Sequence, residues 1–190
     1  MYDLKTYFQQ FSFLPEKEID EQVEKVIPKK LSKDEFFLSE GSVCDKVAFV
    51  KSGIFRSFYH TSTEEQITYC FRFPGTFITG YSSLLTGEPT RENLQALTDA
   101  ELLVIPKEEI TRLENTSASW LRFFKMVAEY EYIELERRIF LLQKESAEFK
   151  YRELMEKSPN YLQEIPLHHL ASYLGITQRH LSRIRKNIGN

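Results

Sequence analysis

The apolar positions of this chain change period twice. Between residues 1 and 30, Leu4, Tyr7, Phe8 and Phe11, then Ile19, Val23, Val26 and Ile27, recur at helical spacing and predict two short amphipathic helices divided at Pro15. From Leu31 to Pro106 the period shortens. Apolar or alternating runs at 36–38, 47–50, 54–59, 67–73, 76–78, 94–97 and 102–105 are punctuated by Gly41, Gly53, Gly75, Gly87, Pro74 and Pro89. Many short strands with turns at close intervals predict a small barrel or jelly-roll. Within 67–73, Ile67, Tyr69, Phe71 and Phe73 share one face and Thr68, Cys70 and Arg72 the other, the alternation of a half-buried strand whose aromatic stripe faces a core. Glu64-Glu65 fits a polar hairpin turn before it.

After Pro106, Gly and Pro vanish for about fifty residues. Leu121, Lys125, Ala128, Tyr132, Leu135, Ile139 and Leu142 then follow at alternating spacings of four and three. This heptad seam predicts a long helix over 116–143 that pairs with a second copy through Leu121, Ala128, Tyr132, Leu135, Ile139 and Leu142, with Lys125 as an interruption. The same helix has a competing use against the barrel, because Phe123, Phe124, Val127 and Tyr130 widen its apolar surface enough to serve both. Another helix is predicted over 146–157, stopped at Ser158-Pro159-Asn160.

The densest signal lies between Leu167 and Lys186. Two amphipathic helices joined by a tight turn need a small residue at their crossing, a permissive residue at the turn, and apolar residues that lock the second helix down. Ala171, Gly175, Leu181 and Ile184 fill those roles. Gly175 accepts the positive φ of the turn, and Thr177 is placed to cap the second helix. With Leu181, Ile184 and Ile188 inward, Gln178, Arg179, Ser182, Arg183 and Lys186 face solvent, as a helix read into a DNA major groove requires.

Charge sharpens this picture. The chain carries −3 overall, yet residues 165–190 hold Arg179, Arg183, Arg185 and Lys186 and no Asp or Glu, leaving −7 for the preceding 164. One end is built to meet phosphate and the body to repel it. A helical hairpin that docks a protein instead of DNA remains the alternative, and a steep salt dependence distinguishes the two.

At 190 residues with 42% hydrophobic content, fifteen Phe and ten Tyr, the chain has material for one sizeable aromatic-rich domain and a smaller one. The expected division is a β-roll over 1–115, a dimerisation helix over 116–143 and a DNA-binding domain over 144–190. Met1 to Pro15 lacks the basic start and apolar run of a leader, and the longest apolar runs are too short to span a bilayer, so a cytoplasmic protein is expected. Cys44 and Cys70 are expected to be buried reduced thiols. His60, His168, His169 and His180 show no ligand spacing, so no metal and no cofactor are predicted. His168 and His169 are placed at the start of the first hairpin helix, as caps or solvated groups. A catalytic barrel would need converging ligands, and His60 stands alone in that region, so no catalytic residue is assigned and no enzyme is expected.

The order β-roll, long helix, helix-turn-helix resembles the Crp/Fnr family of transcription regulators over almost the whole chain. In the roll the family-like residues are Gly41, the run Asp45 to Gly53, and Phe73-Pro74-Gly75-Thr76-Phe77-Ile78. The resemblance implies an α+β chain with a cyclic-nucleotide-binding-like jelly-roll. It also implies a homodimer on double-stranded DNA, with RNA polymerase as a further partner. Its base-reading positions fall on Gln178, Arg179 and Arg183, and its phosphate-touching positions on Thr177 and His180; Arg185 and Lys186 add salt-sensitive phosphate contacts.

The effector pocket would fall on Gly80, Tyr81, Ser82, Thr90, Arg91 and Glu134. Gly80 stands where a cyclic-nucleotide binder has its ribose-gripping glutamate. Thr90 stands where the phosphate-holding arginine belongs, with Arg91 one place late and Glu92 beside it. Glu134 and Leu135 fall near the adenine-contacting hydroxyl positions. These departures predict a regulator that does not respond to cyclic AMP, with the effector unidentified. The alternative is a cyclic-nucleotide or other small-anion sensor acting as a protein-interaction module. The family's wing has no counterpart after the recognition helix in a sequence ending at Asn190, and its hinge falls at 143–147.

Overall fold

The computed structural model describes residues 2–188. Helices α1 (Leu4–Gln9) and α2 (Glu16–Glu24) precede strands β1 (Ile27–Leu31), β2 (Phe36–Leu38), β3 (Lys46–Ser52), β4 (Phe55–His60), β5 (Gln66–Arg72) and β6 (Phe77–Ile78). Helix α3 (Tyr81–Thr86) leads to β7 (Asn93–Ala96) and β8 (Ala100–Pro106). The remainder is helical: α4 (Lys107–Thr116), α5 (Ala118–Lys144), α6 (Ala147–Lys157), α7 (Pro159–Glu164), α8 (Leu167–Tyr173) and α9 (Gln178–Ile188). The chain forms two compact units, one of residues up to 60 with 70–127, the other of 61–69 with 128 onward.

The first unit is a roll of two four-stranded sheets, ordered β1-β8-β3-β6 and β2-β7-β4-β5. Alternation on β3 assigns its side chains to two cores: Ala48 and Val50 join Phe37, Phe55, Leu94 and Leu102 in one, while Phe49 joins the other. That second core packs Leu4 and Phe8 of α1 and Ile19 of α2 against Trp120 and Phe123 of α5. Phe8 meets Trp120 edge-on at 4.9 Å between centroids, the geometry the ring quadrupoles favour. The start of α5 thus packs on its own roll, as the wide apolar face allowed, while Leu121 is left 52% exposed.

Several local expectations need correction. The second helix ends at Glu24 instead of running on through Ile27, because Ile27 opens β1 opposite Val104. Pro28 fits there because β1 is the outer strand of its sheet, where a missing N–H breaks no ladder between neighbours on both sides. Pro159 does not simply stop the chain's helical course: α6 ends at Lys157 and Pro159 starts α7 at a position where no N–H is needed. Cys44 is buried as expected, but Cys70 is only half-buried; both are free thiols.

The second unit contains the hairpin tip 61–69, the rest of α5 and α6 to α9. The tip turns as the Glu64-Glu65 pair suggested, with Glu64 at φ +61° and the Thr61 hydroxyl accepting from the Glu65 amide at 3.1 Å. Thr68, assigned to the outer face of its strand, is instead 1% exposed. The Ser172 hydroxyl of α8 accepts from the Thr68 amide at 2.9 Å and donates to the Gln66 carbonyl at 3.1 Å, so a helix covers that face. Among the described residues no helix is long and apolar enough to cross a membrane.

Candidate functional site

Helices α8 and α9 form the helix-turn-helix that the sequence pattern predicts. Gly175 takes φ +69°, its amide bonds to the Ser172 carbonyl at 3.0 Å, and the Ile176 amide reaches back to the Ala171 carbonyl at 3.0 Å. These bonds close α8 in the manner of a left-handed helix stop. A side chain at 175 would approach the Leu142 methyl at 3.6 Å, ordinary contact, so the demand for glycine here is conformational. The Thr177 hydroxyl then accepts from the His180 amide at 3.2 Å, capping α9 as its sequence position suggested.

Leu181 is 0% exposed and Ile184 6%, with Leu170 and Ala171 of α8 and its C-cap Leu174 also buried. That anchoring leaves Gln178, Arg179, His180, Ser182, Arg183, Arg185 and Lys186 exposed. Helix α9 contains no carboxylate, so its cations are not neutralised from within. A rod of this kind, apolar on one side and cationic on the other, is dimensioned for a major groove, where guanidinium groups can donate two bonds to one guanine.

Beside α9 runs a groove of about 420 Å³ lined by Ser146, Ala147, Glu148, His180, Arg183 and Asn187. Ser146 was missed as part of this surface. Its signal was present, since a serine three residues before Phe149 at a helical onset is an N-cap, and its hydroxyl accepts from the Phe149 amide at 3.2 Å. The break between α5 and α6 at Glu145 and Ser146 falls inside the expected hinge segment. His168 and His169 do not cap α8. Pro166 occupies the cap position without a side-chain bond, and the two imidazoles lie against each other at 3.9 Å.

The residues assigned to an effector pocket fall in both units. Gly80 precedes α3, and a Cβ there would sit 2.4 Å from the Leu38 methyl and 3.6 Å from the Glu92 carboxylate. Thr90 is buried, with its amide bonded to the Ser42 carbonyl and its carbonyl to the Gly41 amide, each at 2.8 Å. Tyr81, Ser82 and Arg91 are exposed. Burial, and then the Glu114 carboxylate, raise the Tyr81 phenol above its ordinary pKa. Glu134 belongs to the second unit and pairs with Arg137 one turn along α5.

Sequence reasoning also passed over Arg56 on β4. It is 4% exposed, donates to the Gln95 side chain at 2.8 Å and lies 3.9 Å from the Phe58 ring centroid. Burial lowers its pKa to about 10, so it stays charged inside the roll at neutral pH.

The sequence model of the cyclic nucleotide-binding domain matches residues 28–117. No curated protein matches the chain significantly by sequence. Solved structures are similar over most of its length. FixK2 from Bradyrhizobium japonicum superposes with TM-score 0.76 at 18% identity, covering 86% of this chain and 84% of its own. The c-di-GMP responsive global regulator CLP of Xanthomonas campestris gives 0.72 at 16% identity, with 92% of each chain covered. The catabolite activator protein of Thermus thermophilus gives 0.61 at 19% identity, covering 96% and 86%. Residues 28–117 are thus similar to the cyclic nucleotide-binding domain, and the chain has the fold seen in regulators of the Crp/Fnr type.

Proposed function

We propose that the protein is a homodimeric transcription regulator that binds double-stranded DNA through α9 and does not respond to cyclic AMP. The observation that carries this is the division of α9 between a buried apolar side, Leu181 and Ile184, and an exposed side bearing Gln178, Arg179 and Arg183 with no carboxylate. Paired recognition helices in a two-fold dimer would read half-sites about 34–36 Å apart. The test is selection of bound sequences from a random duplex library by the full chain without added ligand. Enrichment of a two-fold-symmetric motif supports the reading, and failure to enrich any motif, with or without cyclic nucleotides, sinks it.

Arg183→Ala is expected to weaken binding to the selected site by about 1–3 kcal/mol, roughly five- to 150-fold, while binding to unrelated duplexes changes little. Equal weakening on all sequences would make Arg183 a phosphate contact. The dimer reading rests on the seam: Tyr132, Leu135, Ile139 and Leu142 are 67%, 54%, 44% and 39% exposed in the single chain. Charges placed there cost the monomer little but would be buried unpaired between copies. Leu135→Glu with Ile139→Glu is expected to raise the dimer dissociation constant at least about a hundredfold. Sedimentation velocity reads this, and an unchanged dimer in the double variant would move the interface elsewhere.

The roll supports the negative half of the proposal. Glutamate at position 80 would need Leu38 to move, and the backbone groups of Thr90 are committed to Gly41 and Ser42. Cyclic AMP is therefore expected to leave the DNA affinity unchanged. RNA polymerase, the further partner implied by the family, would be reached from the DNA-bound dimer.

A further inference from the structure

The last turn of α8 is held at two neighbouring residues. A helix end leaves its final carbonyls without helical partners, and here each of them is taken. The carbonyls of Leu170, Ala171 and Ser172 accept from the Leu174, Ile176 and Gly175 amides at 3.0 Å, and that of Tyr173 accepts from the Arg138 guanidinium of α5. The same guanidinium lies 3.7 Å from the Tyr173 ring centroid, so one planar cation grips both the backbone and the side chain of that residue. Ser172 is tied elsewhere. Strand β5 is the outermost of its sheet, and its edge presents the Thr68 amide and the Gln66 carbonyl, groups that a further strand would bond. The Ser172 hydroxyl takes that strand's place, accepting from the amide at 2.9 Å and donating to the carbonyl at 3.1 Å. Thr68 is 1% exposed, so without that hydroxyl its amide would have no water to turn to.

These attachments all lie within the second unit. Neither Ser172 nor Arg138 belongs to the exposed cationic side of α9, so neither reads a base; what they fix is direction. Helix α9 follows α8 across the tight turn at Gly175, and an α8 pinned to α5 by Arg138 and to the hairpin tip by Ser172 gives α9 one heading relative to α5. The proposed dimer pairs through α5, so the two-fold axis converts that heading into the separation of two reading helices. We propose that Ser172 and Arg138 are positioning residues that set the half-site spacing this protein accepts, an inference that rests on the regulator reading. The physical gain is preorganisation: α9 is ordered on folding and not at the cost of DNA affinity. Moving a half-site by one base pair displaces it by about 3.4 Å along the duplex and turns it by about a tenth of a turn. A pinned helix cannot follow that displacement, and a loosened one can.

The test measures the affinity of the full chain for duplexes that carry the selected half-sites at the native spacing, one base pair closer and one base pair farther apart. Wild type is expected to bind the shifted duplexes at least about tenfold more weakly than the native one. Ser172→Ala and Arg138→Met are each expected to shrink that ratio at least about threefold, chiefly by losing affinity at the native spacing, and Ser172→Thr, which keeps the hydroxyl, to preserve it. Equal weakening at every spacing, the mark of a domain that is merely less stable, overturns the role, as does an unchanged ratio. Amide hydrogen exchange of the full chain without DNA reads the Ser172 tie directly: the Thr68 amide should exchange at least about tenfold faster in Ser172→Ala than in wild type, and equal rates overturn the tie. A wild-type chain that selects no motif removes the regulator reading and this role with it. A sharp wild-type spacing that both variants retain removes the positioning role alone.

Discussion

Leu181→Ala is expected to abolish DNA binding while leaving the roll folded. Leu181 has no exposed surface, and α9 packs on α8, whose Leu170 and Ala171, with the C-cap Leu174, are buried too. Truncating such a leucine removes its transfer free energy and leaves a cavity, together about 2–5 kcal/mol. The unit it stabilises contains roughly sixty described residues beyond the hairpin tip, and at ordinary specific stability that corresponds to about 3–9 kcal/mol in all. The loss is comparable with the whole. Position 181 makes no contribution to the exposed cationic side, so binding fails through the scaffold and not through a lost contact. Thermal unfolding followed by circular dichroism should show a lower-melting helical transition, with the tryptophan signal of Trp120, buried in the other unit, unfolding at its original midpoint. A variant that keeps both midpoints and loses DNA would place Leu181 at the interface itself.

The second large effect is expected in the roll, at Gly53→Ala. Gly53 joins β3 to β4 at φ +92°, and a Cβ there would lie 2.5 Å from the Ala100 Cβ and 2.8 Å from both the Ala100 Cα and the Asp99 carbonyl oxygen. Three contacts with backbone or with a side chain that cannot rotate away force β8 to shift. The left-handed conformation adds about 1–2 kcal/mol and the overpacking about 1–3, for a total near 2–5 kcal/mol. Gly41→Ala is the internal control: its φ is +82°, yet a Cβ there meets nothing within 4 Å, so only the conformational part applies. Denaturant midpoints should separate the two variants clearly. Equal losses would mean that β8 yields at no cost.

What the sequence made legible follows from which forces act locally. The strands of the roll announce themselves because β-branched and aromatic runs alternate between turns, and α9 does so because Leu181 and Ile184 sit one turn apart among cations. Strand β1 was hidden because Ile-Pro-Lys-Lys-Leu lacks alternation, and its pairing with β8 is set seventy-odd residues away. Thr68 was assigned outward because period alone gives faces, whereas the helix covering it through Ser172 comes from a hundred residues downstream. Pro159 was given the role of a stop because the rule for the residue before proline applies equally to a chain that begins a new helix there. Lys150, only 7% exposed, is the deepest omission. A lysine in a charged helix is expected at the surface, and nothing in Phe149-Lys150-Tyr151 tells that the stem between two aromatic residues turns inward.

The position of β1 has a bearing on how the roll behaves among its own copies. An outermost strand offers its free amides and carbonyls to any extended segment that arrives, and pairing of that sort has no natural end. Here the strand is five residues long, Pro28 supplies no amide, and Lys29 and Lys30 lay charge along it. A second roll approaching this edge meets a short, donor-poor border lined by charged side chains, Lys30 paired with Glu101 among them, that mates poorly with itself. Self-pairing is thereby discouraged along this edge of the roll, and the homodimer proposed above would form through helical surfaces, whose association closes at a definite number of copies.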